Sequence, residues 1–297
     1  MDFIRKIFKK PAKVTDMATT APLTDKQIQS IVNSQAAHFD VQQLISSIGQ
    51  STGKQRDLNE DSLLAITSTL AGNSGSLPFG LYIVADGMGG HQFGEVASNA
   101  AIRSVAGYIL QKFSPYLFGL KPTQPEDSLQ EIMQTAVRQA QKAIQTEAPS
   151  SGTTLTAALV LGQQVTIAHV GDSRAYHIHP DGRTEVITRD HSLVKRLEEL
   201  GHIRPEDAAN YPHRNVLYRA LGQGEILEPD IFTVTFPQTG HLMLCSDGLW
   251  GVVAEQDMYR IIKDAPNLQR ACQNLVEAAN VAGGPDNISV ILVQMIG

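Results

Sequence analysis

The chain has 297 residues, 42% of them hydrophobic, with 24 Lys plus Arg against 30 Asp plus Glu and a net charge of −6. That length suits one catalytic-sized domain plus an extension; the acidic balance offers no general attraction to a polyanion, which disfavours nucleic-acid binding. No apolar run approaches the ~18 residues of a membrane span, and two cysteines, Cys245 and Cys272, are too few for a disulfide framework, which fits a reducing, cytoplasmic compartment.

Residues 1–45 read as an N-terminal extension. MDFIRKIFKK could form a short basic amphipathic helix, and a polar stretch rich in Thr, Gln and Ala follows. As a membrane-surface tether or a frayed tail, the tail is favoured, because so short a helix is marginal alone. From residue 46 the pattern alternates. Glu60-Asp61 precedes a strand-like SLLAIT, and the apolar run Leu81–Ala85 ends at Asp86-Gly87. Helical periods cover 94–113 and 128–147. Residues 152–178 hold further strands, the last turning at Pro180-Asp181-Gly182 as a hairpin does. A long polar stretch occupies 192–224. Leu242–Ser246 is a strand that closes, like the earlier one, on Asp-Gly at 247–248. A shorter helical period at 255–263 and a full one at 267–282 precede a final strand at 288–296. Consecutive hairpin-like strands with helices in blocks predict an α+β fold rather than a parallel βαβ sheet.

Six carboxylates sit at the ends of these strands: Glu60, Asp61, Asp86, Asp172, Asp247 and Asp286. Asp181-Gly182 merits only a turn. An acidic side chain at the rim of a buried sheet is costly without a cation. No HExxH and no zinc-type Cys/His spacing occurs, so the pattern is that of hard oxygen ligands for Mg2+ or Mn2+, with scattered solvated aspartates as the alternative. Rival motifs fail on inspection. The glycines at 87, 89 and 90 are followed by Gln92 where a dinucleotide fingerprint needs Gly or Ala, and there is no P-loop. Gly171-Asp172-Ser173 lacks the closing glycine of a nucleophile elbow. The remaining reading for the glycines is a tight backbone that approaches an ion closely.

RDLNED at 56–61, VADGMGGH at 84–91, SGTT at 151–154, VGDSR at 170–174, SDG at 246–248 and GPDNIS at 284–289 occur in the order seen in metal-dependent protein Ser/Thr phosphatases. Over residues 46–296 the chain resembles the bacterial-type PPM (protein phosphatase 2C) family. The resemblance implies two stacked antiparallel sheets flanked by helices, an αββα sandwich, with a flap at about 192–224. It implies that Asp86 bridges two Mn2+ or Mg2+ ions, that Asp247 and Asp286 complete one, and that the Gly87 carbonyl and Glu60 serve the other. Asp172 with Asp247 would hold a weaker third ion, and Asp61 would orient water. Arg56 would clamp phosphate, its structural alternative being an ion pair with a nearby carboxylate. His91 would protonate the leaving oxygen, or else only pack at a helix start. The implied activity is hydrolysis of phosphoserine and phosphothreonine in proteins, reversing a Ser/Thr kinase. The alternatives are a catalytically silent phosphoprotein-binding regulator of the same fold and a two-metal hydrolase of small phosphoesters.

Overall fold

Alternation along the long strands is between two apolar environments rather than between core and water. A computed structural model describes residues 41–72, 75–89, 93–117, 127–204, 207, 211–212, 215–224, 227–237 and 239–297. The strands are β1 (Gln43–Ser51), β2 (Asp61–Gly72), β3 (Gly75–Met88), β4 (Gly152–Thr153), β5 (Leu155–Leu161) and β6 (Gln164–Val170). They continue with β7 (Arg174–Ile178), β8 (Thr184–Val186), β9 (Asp230–Thr235), β10 (His241–Cys245) and β11 (Ile288–Ile296). One antiparallel sheet runs β1-β11-β10-β7-β8; the other runs β2-β3-β5-β6-β9, with β4 added beside β3.

On β3, Tyr82 and Val84 face the second sheet, whereas Leu81, Ile83 and Ala85 face α1 (Gly94–Leu117) and α2 (Leu129–Glu147). On β11, Ile291 and Val293 enter the layer between the sheets. Val290 and Leu292 instead meet α5 (Glu255–Asp264) and α6 (Leu268–Val281). Each central strand therefore buries both faces, which explains why these segments are continuous apolar runs although the sheets are antiparallel. Helix starts follow local chemistry: Ser128 and Glu131 form a capping box on α2, and Asn267 accepts from Arg270 N at the start of α6. The expected αββα sandwich is the observed architecture.

The expected domain boundary at residue 45 falls inside β1, whose Leu44 is buried between the sheets and whose Gln43 pairs with Ile296. The basic segment at 1–10 lies outside the described residues. In the flap region, α3 (Leu193–Glu199) is capped by Ser192, and the returning chain is tied down by Leu193 N to Val216 O and by mutual bonds between Thr153 and Leu221. A short helix, α4 (Asp247–Trp250), starts directly at the end of β10.

Candidate metal centre

The strand ends that carry acidic residues converge at one edge of the sandwich. Asp61 and Asp86 lie directly opposite each other in the β2–β3 ladder, so both side chains stand on one face. Like charges opposed in this way destabilise a sheet unless a cation lies between or beside them. Asp172 follows β6, Asp247 follows β10 and Asp286 precedes β11. A cavity of about 330 Å3 is lined by Arg56, Glu60, Asp86, Gly87, Asp172, Asp247 and Asp286. Seven of the nine residues expected from sequence thus meet at one cavity. Asp61 sits behind them, almost fully buried, and His91 lies outside the described residues.

The electrostatics are those of a site built for cations. Burial first, and then the charges of Asp61, Asp247, Asp172 and Asp286, hold Asp86 well above the usual carboxylate range. Burial and the neighbouring Asp247 and Asp190 do the same to Asp172 against the opposing charge of Arg174. Asp61 is pushed up to about 7 by burial, with Asp247 and Asp286 adding to it and Ser246 opposing. Burial also raises Glu60. Asp61 Oδ2 accepts from Ser246 Oγ at 2.7 Å, while its Oδ1 is buried with no hydrogen-bond partner among the described residues. An all-oxygen donor set, one orphaned carboxylate oxygen and mutually repelling aspartates fit divalent hard cations.

Residues outside the proposed ligand set hold it in place. Asn287 accepts from Glu60 N at 2.8 Å and donates to Thr52 O and Leu58 O at 2.8 and 2.9 Å, fastening the segment that carries Arg56 and Glu60. Thr154 Oγ1 accepts from Asp86 N at 2.9 Å, and Thr153 Oγ1 donates to Asp86 O at 2.9 Å. Through these bonds Thr153 and Thr154 of SGTT support the strand end that carries Asp86. A Cβ on Gly87 would strike Gly94 O and come within 2.6 Å of Glu60 O, so only glycine lets β3 pass there.

The Asp172 turn is held by three groups. Trp250 Nε1 donates to Asp172 O at 3.0 Å, Arg174 stacks on the Trp250 ring while forking onto Asp190, and His191 Nδ1 accepts from Gly171 N. That acceptor role makes His191 Nε2 the protonated nitrogen, which donates to Asp230 Oδ2 at 3.1 Å. His169 is a satisfied interior histidine, between Thr156 Oγ1 and Arg189 O. Arg56 is half-exposed at the rim and donates to Asp286 Oδ2 at 2.7 Å. A second cavity of about 490 Å3 shares Arg56, Asp172, Asn215, Asp247 and Asp286 with the first and opens under α3 of the flap. Neither Asn215 nor Asp190 carries a motif signal; both reach the site only through the fold.

Residues 46–288 match the family model for protein phosphatase 2C. A serine/threonine phosphatase stp from Listeria innocua is 40% identical over 214 residues, covering 72% of this chain and 84% of the relative. The solved Mycobacterium tuberculosis serine/threonine phosphatase PstP/Ppp superposes with a TM-score of 0.70 at 32% identity, covering 86% of this chain and 100% of that one. The catalytic domain of PstP in complex with two manganese ions has a TM-score of 0.69 at 30% identity, with the same coverage of 86% and 100%.

Proposed function

The chain belongs to the protein phosphatase 2C family and is a metal-dependent phosphoprotein phosphatase, and from that premise we propose how its own residues divide the work. The reaction is hydrolysis of phosphoserine and phosphothreonine in proteins that a Ser/Thr kinase has modified. Asp86, Asp247 and Asp286 would hold two divalent ions, Mn2+ or Mg2+, with Glu60 and the Gly87 carbonyl serving one of them. Asp172 and Asp247 would hold a weaker third. When bound, the ions lower the pKa of water and neutralise charge developing on the phosphoryl oxygens.

Arg56 binds and orients the phosphate from the cavity rim, where its planar fork can meet two oxygens at once. Asp61 orients water through the carboxylate oxygen that no described residue satisfies. His91 protonates the leaving serine or threonine oxygen, a role that rests on its place in the motif. The flap segment that supplies Asn215 and Leu217 to the cavity bears on which phosphoprotein enters. Residues 1–45 take no part in the chemistry, and the protein works in the cytoplasm, where its buried Cys245 and Cys272 stay as thiols. No helix among the described residues is long and apolar enough to cross a membrane.

The observation that carries this reading is the direct pairing of Asp61 with Asp86 beside a cavity that three further aspartates line. Exhaustive chelation should abolish hydrolysis of a phosphothreonine peptide, and added Mn2+ or Mg2+ should restore it. Turnover that survives chelation would end the reading; a folded protein that never turns over at any metal concentration would establish the silent regulator instead.

A further inference from the structure

The β7–β8 hairpin, at the edge of the five-stranded sheet, carries a cluster of different chemistry. His177 faces Glu185 directly across the β7–β8 ladder, and His179 follows two residues later on the same side of the chain. One ligand atom from each of His177, His179 and Glu185 lies within 4.8 Å of the other two. The Nε2 atoms of both histidines are buried and have no hydrogen-bond partner among the described residues. His179 Nε2 stands 3.6 Å from Glu185 Oε2. That is too long for a hydrogen bond, yet it is close to the ~3.4 Å that separates two ligands held at ~2.0–2.1 Å from a tetrahedral zinc ion.

We propose that His177, His179 and Glu185 form a histidine-based site for Zn2+ or a neighbouring first-row ion such as Co2+, separate from the all-oxygen centre. Two buried imidazole nitrogens without partners are an unpaid desolvation cost that a metal ion removes. Imidazole nitrogen selects Zn2+ and Co2+ over Mg2+, whereas the aspartate centre at the other end of β7 is made of ligands suited to Mg2+ and Mn2+. Burial pushes His177 below its ordinary value, which keeps the ring neutral and able to coordinate.

The ligand set is prearranged by the turn. His179 N donates to Arg183 O at 2.9 Å, Gly182 N donates to His179 O at 3.1 Å, and Gly182 takes the left-handed conformation that closes the hairpin (φ +96°). Glu185 is exposed and gives the ion a route in from solvent, with a fourth position left for water. β8 contributes only three paired residues to the sheet edge, so an ion spanning β7 and β8 would fasten the strand that leads into Asp190 and His191.

The test is zinc stoichiometry on the full chain in saturating Mg2+, comparing wild type with His179→Ala and with Glu185→Gln, the latter at an exposed position that cannot threaten folding. Wild type should bind about one equivalent of Zn2+ more than either variant. Co2+ should give a visible absorption band of a nitrogen-ligated site only in wild type, and kcat/KM with Mn2+ should be the same for all three. Zinc should also raise the Tm of wild type more than that of Glu185→Gln. Equal zinc stoichiometry and equal Co2+ spectra in wild type and Glu185→Gln would overturn the proposal, as would wild type that takes up no zinc beyond the aspartate centre.

Discussion

Replacing Asn287 with leucine should weaken both the stability of the catalytic edge and its chemistry. Leucine keeps the branched shape, and because the residue is almost fully buried any repacking around the methyls adds to the loss. What disappears is the bond from Glu60 N at 2.8 Å and the two bonds to Thr52 O and Leu58 O at 2.8 and 2.9 Å. At ~1 kcal/mol net for each bond, the loss is about 3 kcal/mol, and it rises towards 4 if Glu60 N stays buried without an acceptor. Urea unfolding should show a lower midpoint at unchanged m. The bonds also locate the segment bearing Arg56 and Glu60, so KM should rise and kcat should fall for the folded fraction. Asn267→Ala is the control: it removes only the cap bond to Arg270 N, far from any proposed ligand, and should cost ~1 kcal/mol with kinetics intact. A stability loss below about 0.5 kcal/mol for Asn287→Leu together with wild-type kinetics would refute the reasoning.

Metal-free protein should lose stability as pH rises from about 4 to 7. The folded state holds the Asp61 proton up to about 7. The unfolded chain releases it near ~3.9, so the stabilisation is complete below that value and gone above the folded one, a swing of about 4 kcal/mol from this group alone. Thermal melts in EDTA should show the slope, Mn2+ should flatten it, and Asp61→Asn should reduce it, the rest coming from Asp86 and Asp172, which burial also holds above the usual carboxylate range; a metal-free slope unchanged in Asp61→Asn would contradict the assignment. Arg56→Ala should leave Tm nearly unchanged, because its ion pair is exposed, yet raise KM for phosphopeptide roughly tenfold. An unchanged KM would mean that the pair with Asp286 is all Arg56 does. Asp172→Ala should keep the two tight ions in Mn2+ calorimetry while lowering turnover at saturating Mn2+; loss of the tight ions, or full turnover, would refute its role.

Much of this was legible because buried strands advertise themselves. Leu81–Ala85 and Leu242–Ser246 are apolar on both faces, and each ends in the aspartate that the fold then presents to the cavity. The edge strands gave weaker signals. β1 mixes Ser, Gln and Gly with its apolar residues, β8 has three residues and β9 is partly exposed along its length. Edge strands need only one packed face and resist further pairing by being short or polar, so their periodicity fades. At the site, the ligand candidates stood out by repetition of Asp-Gly after apolar runs. Asn287, Trp250 and His191 did not, because a residue that positions another through hydrogen bonds has no spacing rule. Their roles depend on contacts between segments as far apart as residues 60 and 287. His177 and Glu185 were likewise invisible until the ladder register set them opposite each other.

The most direct measurement is kcat/KM on a phosphothreonine peptide at saturating Mn2+ for Asp86→Asn beside Asp181→Asn, with Mn2+ stoichiometry measured on the same samples. Asp86→Asn keeps the shape but removes the charge at the centre of the carboxylate cluster, and should lower kcat/KM by about 100-fold or more, roughly 3 kcal/mol, while weakening the tight Mn2+ sites. Asp181→Asn, in the exposed hairpin turn, should match wild type in both. Equal kinetics and equal Mn2+ binding for the two variants would place the chemistry elsewhere and contradict the account.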